Sequence, residues 1–282
     1  MTKLKFLGTG TSQGIPMIGC TCQICRSNDP RDKRLRSSVL VEFCGMSILV
    51  DAGPDFRQQM LRENISHIDA ILLTHNHKDH TGGLDDIRAF NYLEHEASEI
   101  YCESYVKESL KMEYPYAFAE VKYPGAPEWN VHLIGNEPFD IVTYKNKEKI
   151  EWKSNVGYEH ISSGKPLVDK TARIVPVRGM HGKLPVLGFR FGNIAYCTDM
   201  NSIPESEFEK LQGLEHFIIN TVKFGTHNSH FGFDEAVAIC KRVGAKNSWL
   251  THLSHRLPNH EELCRILPPC IRPAYDGLVI ED

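Results

Sequence analysis

The chain has 282 residues, 41% of them hydrophobic and 24% charged, with 21 glycines and 15 prolines. That length suffices for one large α/β domain with a sizeable core, and the composition excludes disordered, collagen-like and disulfide-scaffold proteins. Thirty-two basic against 36 acidic residues leave a net charge of −4, which supplies no global attraction for a polyanion and disfavours bulk nucleic-acid binding.

In chain order, residues 3–7 read as a strand that breaks at Gly8, too early for the apolar core of a secretory leader. The longest apolar runs are of strand length, so no membrane span is expected and a soluble, cytoplasmic protein is. Residues 8–14 form a glycine-rich turn without the Gly-Lys-Ser/Thr ending of a phosphate-cradling loop. Residues 37–43 and 46–51 flank Cys44-Gly45 as a hairpin, and 54–64 read as a helix with proline in its first turn. Residues 69–74 are a buried strand that delivers the chain straight into a histidine cluster, at the end of a strand where α/β proteins place ligands. A helix over 79–93, a strand over 99–102 and a helix over 103–112 continue a mixed rhythm. Residues 114–170 are less regular and read as loops and hairpins over the scaffold, with 104–170 the place for substrate-shaping loops. Short strands return at 173–178, 186–191, 193–197 and 216–219. Phe233, Ala236, Val237, Cys240 and Gly244 then share one face of a helix over 233–244 that stops at glycine. A strand over 248–251 again runs into histidines. No fixed-period repeat is present, and residues 1–282 read as one domain.

Three groups of side chains carry chemistry among the 14 histidines and nine cysteines. Thr74-His75-Asn76-His77-Lys78-Asp79-His80 sets four nitrogen or carboxylate donors within six positions after a buried strand, so a turn there aims all four inward. Imidazole and carboxylate suit zinc, manganese or iron, and the spacing divides the donors between two neighbouring ions. A solvated polar turn needs no such density of histidine. Cys20, Cys22 and Cys25 place three thiols on a loop; they need a fourth ligand to close a tetrahedral zinc site, and packed or redox-active thiols are the alternative. Cys44, Cys102, Cys197, Cys240, Cys264 and Cys270 lack such spacing and read as core or surface thiols. His227-Asn228-Ser229-His230 precedes the helix over 233–244, where His230 can meet an anion favoured by the dipole, or simply help cap the helix.

The run His75-x-His77-x-Asp79-His80 resembles the His-x-His-x-Asp-His signature of the metallo-β-lactamase superfamily, and the resemblance extends over residues 3 to about 256. It implies a four-layer αββα sandwich in a single domain. It also implies that one divalent ion takes His75, His77 and His181, a second takes Asp79, His80 and His252, and Asp199 bridges them. Asp51 fits the acidic residue behind the metal loop that orients a ligand or the backbone. The cysteine loop, the His-x-Ser-His segment and the Leu250-Thr251-His252-Leu253-Ser254-His255 ending look most like the PhnP-like phosphodiesterase branch. There His255 completes a structural zinc site with Cys20, Cys22 and Cys25, and His230 approaches the scissile phosphate. The implied activity is hydrolysis of a small or cyclic phosphodiester by hydroxide shared between two Zn, Mn or Fe ions, with Asp79, Asp199 and His230 as the catalytic side chains. The implied partner is that substrate, without membrane or nucleic acid, and self-association as a homodimer is compatible with it. A tRNA 3'-processing nuclease, a thioesterase or lactonase, and a non-enzymatic cofactor-pathway or carrier protein are the rival readings. The first lacks its basic arm here, the second does not account for the cysteine loop, and the third normally loses metal ligands that are all present.

Overall fold

Successive side chains of a strand point to opposite faces, so short, near-continuous Val/Ile/Phe-rich runs make strands apolar on both faces, and such strands need cover on both sides. The computed structural model describes residues 1–153, 157–162 and 164–282. One sheet runs β16 (Val279–Glu281), β1 (Lys3–Gly8), β2 (Ser38–Phe43), β3 (Met46–Val50), β4 (Ala70–Leu72), β5 (Ser98–Cys102) and β6 (Trp129–Leu133). The other runs β15 (Ile271–Pro273), β14 (Asn247–Thr251), β13 (His216–Asn220), β12 (Ile194–Cys197), β11 (Leu184–Phe191), β10 (Leu167–His181) and β7 (Phe139–Lys145). β8 (Lys149–Lys153) and β9 (Gly157–Ile161) make a separate hairpin.

The alternation assigns each residue to a layer. Ile48, Val50 and Leu72 of the first sheet meet Phe189, Tyr196 and Ile218 of the second in a shared inner core. Leu49 and Ile71 point the other way, onto Phe56 and Met60 of α1 (Phe56–Glu63), Phe90 of α3 (Arg88–Glu94) and Val106 of α4 (Ser104–Glu113). Phe217 and Ile219 likewise face outward, onto Phe233, Ala236 and Cys240 of α5 (Phe233–Val243) and Leu263 of α6 (His260–Ile266). Helix, sheet, sheet, helix is the resulting order, and each of these fully buried aliphatic or aromatic side chains contributes about 1.5–3 kcal/mol. No helix among the described residues is long and apolar enough to cross a membrane.

Local signals act as read at the hairpin, where Cys44 and Gly45 adopt φ of 52° and 75°, and at the end of α5, where Gly244 takes φ 67°. The stretch 79–93 differs from expectation. It breaks into α2 (Lys78–Thr81), a 3₁₀ turn (Leu84–Ile87) and α3, because the chain passes against its own neighbour at Gly83. A Cβ on Gly83 would lie 2.1 Å from the Gly53 carbonyl oxygen. The strand expected at 173–178 is the middle of the fifteen-residue β10, whose polar N-terminal half pairs with β7. The irregular middle segment thus supplies an edge strand to each sheet, β6 and β7.

β3 to β6 are mutually parallel, as are β12 to β15. Their C-terminal ends gather along one edge of the sandwich, and the chemistry lies there.

Candidate metal centre

Each chemically active side chain stands at or just beyond a strand end. Asp51 follows β3, His75 and His77 follow β4, Asp79 and His80 lie in α2, His181 ends β10, Asp199 follows β12 and His252 follows β14. Asp51, Asp199 and His252 adopt left-handed backbone φ of 63°, 59° and 54°. That conformation is strained for a residue with a Cβ, and it bends the chain off the sheet so that the side chain turns into the shared edge.

The bends make two donor sets. His75, His77 and His181 form one, and Asp79, His80, Asp199 and His252 form the other; within each, the donor atoms lie within 4.8 Å of one another. Asp199 stands between them. Its Oδ1 is 3.0 Å from His252 Nδ1, while its Oδ2 is 3.1 Å from His80 Nε2 and 3.8 Å from His75 Nε2. All seven predicted donors are therefore brought together.

Behind them, hydrogen bonds fix the rings. Asp51 accepts from the Thr74 backbone N–H at 2.9 Å and contacts His80 Nδ1 at 2.7 Å, so it aims His80 Nε2 at Asp199 and holds the loop that carries His75. Thr74 Oγ1 contacts His75 Nδ1 at 2.9 Å, and the Ser229 carbonyl accepts from His181 Nδ1 at 2.7 Å. Each of these contacts leaves the Nε2 atom directed into the centre, which is how metal-binding histidines are oriented.

The electrostatics are those of a site built around positive charge. Burial pushes the Asp51 carboxyl up despite His80. Burial also opposes ionisation of Asp199, but His252 and His80 outweigh it and hold that carboxyl well below the usual range. His80 is held well above its ordinary value because Asp199, Asp79 and Asp51 outweigh its burial. Burial, reinforced by His80, pushes His75 well down, and burial takes His181 down to about 4. Three carboxylates thus hold His80 toward its cationic form, while burial holds His75 and His181 toward the neutral form with lone pairs available. His75 Nε2 is buried and has no hydrogen-bond partner among the described residues. An orphaned imidazole nitrogen beside a shared carboxylate fits a divalent cation, whose binding would displace the proton from His80.

His230 completes the open side. Its ring stacks on His252 at 5.0 Å and meets His181 edge-on at 4.5 Å, with Nε2 3.6 Å from Asp199 Oδ2. The Ser229 backbone N–H donates to His227 Nδ1 at 3.3 Å, so that nitrogen carries a lone pair. His230 Nδ1 lies 3.3 Å from it and 3.1 Å from Ser229 Oγ, so the ring is held from its Nδ1 side and Nε2 faces the open side of Asp199.

Cys20, Cys22, Cys25 and His255 also converge, with the Cys20 and Cys22 sulfurs 3.3 and 3.5 Å from His255 Nδ1. The Cys25 backbone N–H draws the Cys22 thiol down to about 6, while burial raises Cys25 to about 11. Of the other cysteines, Cys102, Cys197 and Cys240 are buried and Cys44, Cys264 and Cys270 exposed, all free.

A cleft of about 560 Å³ opens beside His230 and His252, walled by Thr11, Gln13, Lys223 and Arg256 among others. The glycine-rich turn that reads as plain connection therefore lines the cleft, and none of the described residues of 104–170 is among those lining it. Sequence reasoning also passes over Ser37, whose Oγ is 3.0 Å from His252 Nδ1. It passes over Asn201 as well, whose carboxamide accepts from Gly182 N–H and donates to the Asn228 carbonyl, joining the His181 and His230 loops. Isolated small polar residues at strand ends offer no spacing to read.

Comparison with known proteins agrees with this architecture. A beta-lactamase superfamily domain model matches residues 47–253. An octanoyltransferase of Porphyromonas gingivalis is 38% identical over 275 residues, covering 96% of this chain and 50% of that protein. The chain spans about half the length, or less, of the curated relatives it matches. Among solved structures, a diphosphatase from the PhnP family is 35% identical, covers 100% of this chain and 98% of its own, and superposes with a TM-score of 0.81. Zn²⁺-bound PqqB from Methylobacterium extorquens, at 18% identity, covers 99% of this chain and 100% of its own with a TM-score of 0.68, and shares the fold. The chain belongs to the metallo-β-lactamase superfamily, in its PhnP-like branch.

Proposed function

We propose that the chain is a metal-dependent phosphodiesterase acting on small or cyclic phosphodiesters. The observation that supports this most is the division of Asp199 between the two donor sets, Oδ1 toward His252 and Oδ2 toward His80 and His75. In this reading His75, His77 and His181 hold one divalent ion, Asp79, His80 and His252 hold another, and Asp199 serves both. Cys20, Cys22, Cys25 and His255 hold a structural zinc. Mixed nitrogen and oxygen donors accept zinc, manganese or iron. A bound pair supplies Lewis-acid charge stabilisation and a nucleophile at neutral pH.

The protein's own groups do the rest. Lys223 and Arg256 draw an anionic diester into the cleft, whose volume suits a small ligand. His230 directs its Nε2 to the open side of Asp199, where a proton on that nitrogen can neutralise phosphoryl charge and pass to the departing oxygen. His227 and Ser229 keep its ring in place from the Nδ1 side. The reduced thiols of the Cys20–Cys25 loop favour a reducing compartment such as the cytoplasm. The octanoyltransferase of Porphyromonas gingivalis is about twice the length of the match, and an octanoyl thioester tests whether its activity extends to this chain.

The test is elemental analysis of the purified protein with a substrate panel: bis-p-nitrophenyl phosphate, a 2',3'-cyclic nucleotide, an octanoyl thioester and an unprocessed tRNA. Three metal equivalents and turnover of the small diesters, abolished in Asp199→Ala, are expected. Thioester or tRNA cleavage without diester turnover, or full activity in metal-loaded Asp199→Ala, overturns the reading.

A further inference from the structure

Asp199 has to hold a left-handed backbone while presenting its two oxygens in different directions, and something must fix that bend. The residue after it, Met200, is gripped on both its polar backbone groups. Its N–H donates to Asn220 Oδ1 at 2.7 Å, and its carbonyl accepts from Asn220 Nδ2 at 3.0 Å. The same carbonyl accepts from the Phe231 backbone N–H at 2.8 Å, and Phe231 is the immediate neighbour of His230. Asn220 is the last residue of β13, fully buried, and lies in register with Thr251, the residue before His252. A carboxamide offers a donor and an acceptor side by side in a single plane, which matches the two groups of one peptide residue.

We propose that Asn220 is the positioning residue of the reactive centre. Through Met200 it holds the carboxylate of Asp199 between the two ion sites and, through the shared carbonyl, sets the place of His230. This deepens the two-ion reading and rests on it. The geometry distinguishes the role from general packing: both carboxamide ends are spent on one residue, and that residue adjoins the shared ligand. Both polar atoms of the Asn220 carboxamide are engaged by Met200, so its effect reaches the ions through Asp199. Replacing it with alanine frees both Met200 groups. Replacing it with aspartate keeps the volume and the acceptor for Met200 N–H, but sets a carboxylate oxygen against the Met200 carbonyl.

The experiment loads full-length wild type, Asn220→Ala and Asn220→Asp with Mn²⁺ and follows binding by equilibrium dialysis and by the electron paramagnetic resonance signal of an exchange-coupled pair. Metal retained at the four-residue thiolate site reports that each variant is folded. Both variants are expected to bind the second Mn²⁺ of the pair about 10- to 100-fold more weakly, and to show the coupled signal only at correspondingly higher Mn²⁺. Two Mn²⁺ ions bound with wild-type affinity and an unchanged coupled signal in Asn220→Asp, with or without a lowered melting temperature, overturn the proposal and leave the two-ion reading standing. A wild-type protein that shows no coupled pair overturns the two-ion reading itself. A variant that loses the thiolate-site metal together with both others marks Asn220 as a general folding residue and likewise overturns the proposal.

Discussion

Single residues set the charge state of the centre. Asp51 touches no donor atom of the first set, yet it takes His80 Nδ1 and the Thr74 N–H on its two oxygens. Asp51→Asn keeps the shape and removes the charge that orients His80, so the ion at Asp79, His80 and His252 is expected to bind about 10- to 100-fold more weakly. Equilibrium dialysis checks this, and unchanged affinity excludes an orienting role. His260 shows how a histidine outside any cluster acts. Burial, with Arg34 and Arg31 nearby, holds its imidazole down at about 4, against an unfolded value of 6.5. The unfolded chain therefore binds more protons across that window. The stabilisation is complete above pH 6.5 and is lost as pH falls toward 4, at no more than about 1.4 kcal/mol per pH unit. Urea unfolding of wild type and His260→Gln at about pH 7 and about pH 5 should show the steeper loss in wild type; equal losses would falsify this account. His75, His77, Asp79 and His80 are legible from sequence because one turn brings them together. His181, Asp199 and His252 are legible only by resemblance, since each lies 18 or more positions from the donor before it in the chain.

At the level of elements, close approach decides what periodicity alone does not. Residues 79–93 have the pattern of a helix, but the Gly82-Gly83 pair lets the chain cross within contact of Gly53 and Phe56. A methyl at Gly83 would meet the Gly53 oxygen at 2.1 Å and Phe56 Cβ at 2.6 Å. Gly83→Ala is thus expected to cost about 1–3 kcal/mol, the range for overpacking a tight core. It should also loosen Asp79 and His80, because their helix packs over the same loop. Differential scanning calorimetry and metal content measure the two effects separately; a normal melting temperature would show that the loop absorbs the methyl. The length of β10 was hidden for a related reason. Its first half, Leu167-Val168-Asp169-Lys170, pairs with β7 yet stays exposed, so no apolar alternation marks it as strand.

Across the whole molecule, Cys20, Cys22, Cys25 and His255 bring the N-terminal loop against the segment after β14. Thr11, Gln13 and Met17 from that loop and His255 from that segment both line the cleft. Cys22→Ser should therefore release one metal equivalent, lower the melting temperature and raise KM for a small diester severalfold, while kcat changes little because no donor of the reactive centre is touched. Parallel steady-state kinetics and elemental analysis test this. An equal fall in kcat with KM unchanged would place the thiolate site in the chemistry rather than in the wall of the cleft.

The sequence by itself determined the buried apolar strands, the hairpin and helix stops, and the density of metal-binding side chains after one strand. These depend on neighbours three or four residues apart, or on alternation along a strand, and local stereochemistry enforces them. The tertiary structure alone decided that Asp199 faces both donor sets, that the glycine-rich loop walls the cleft, and that Asn220, Asn201 and Ser37 support the centre. Those relations join segments tens to hundreds of residues apart. The side chains involved meet only because parallel strands end along one edge of two packed sheets.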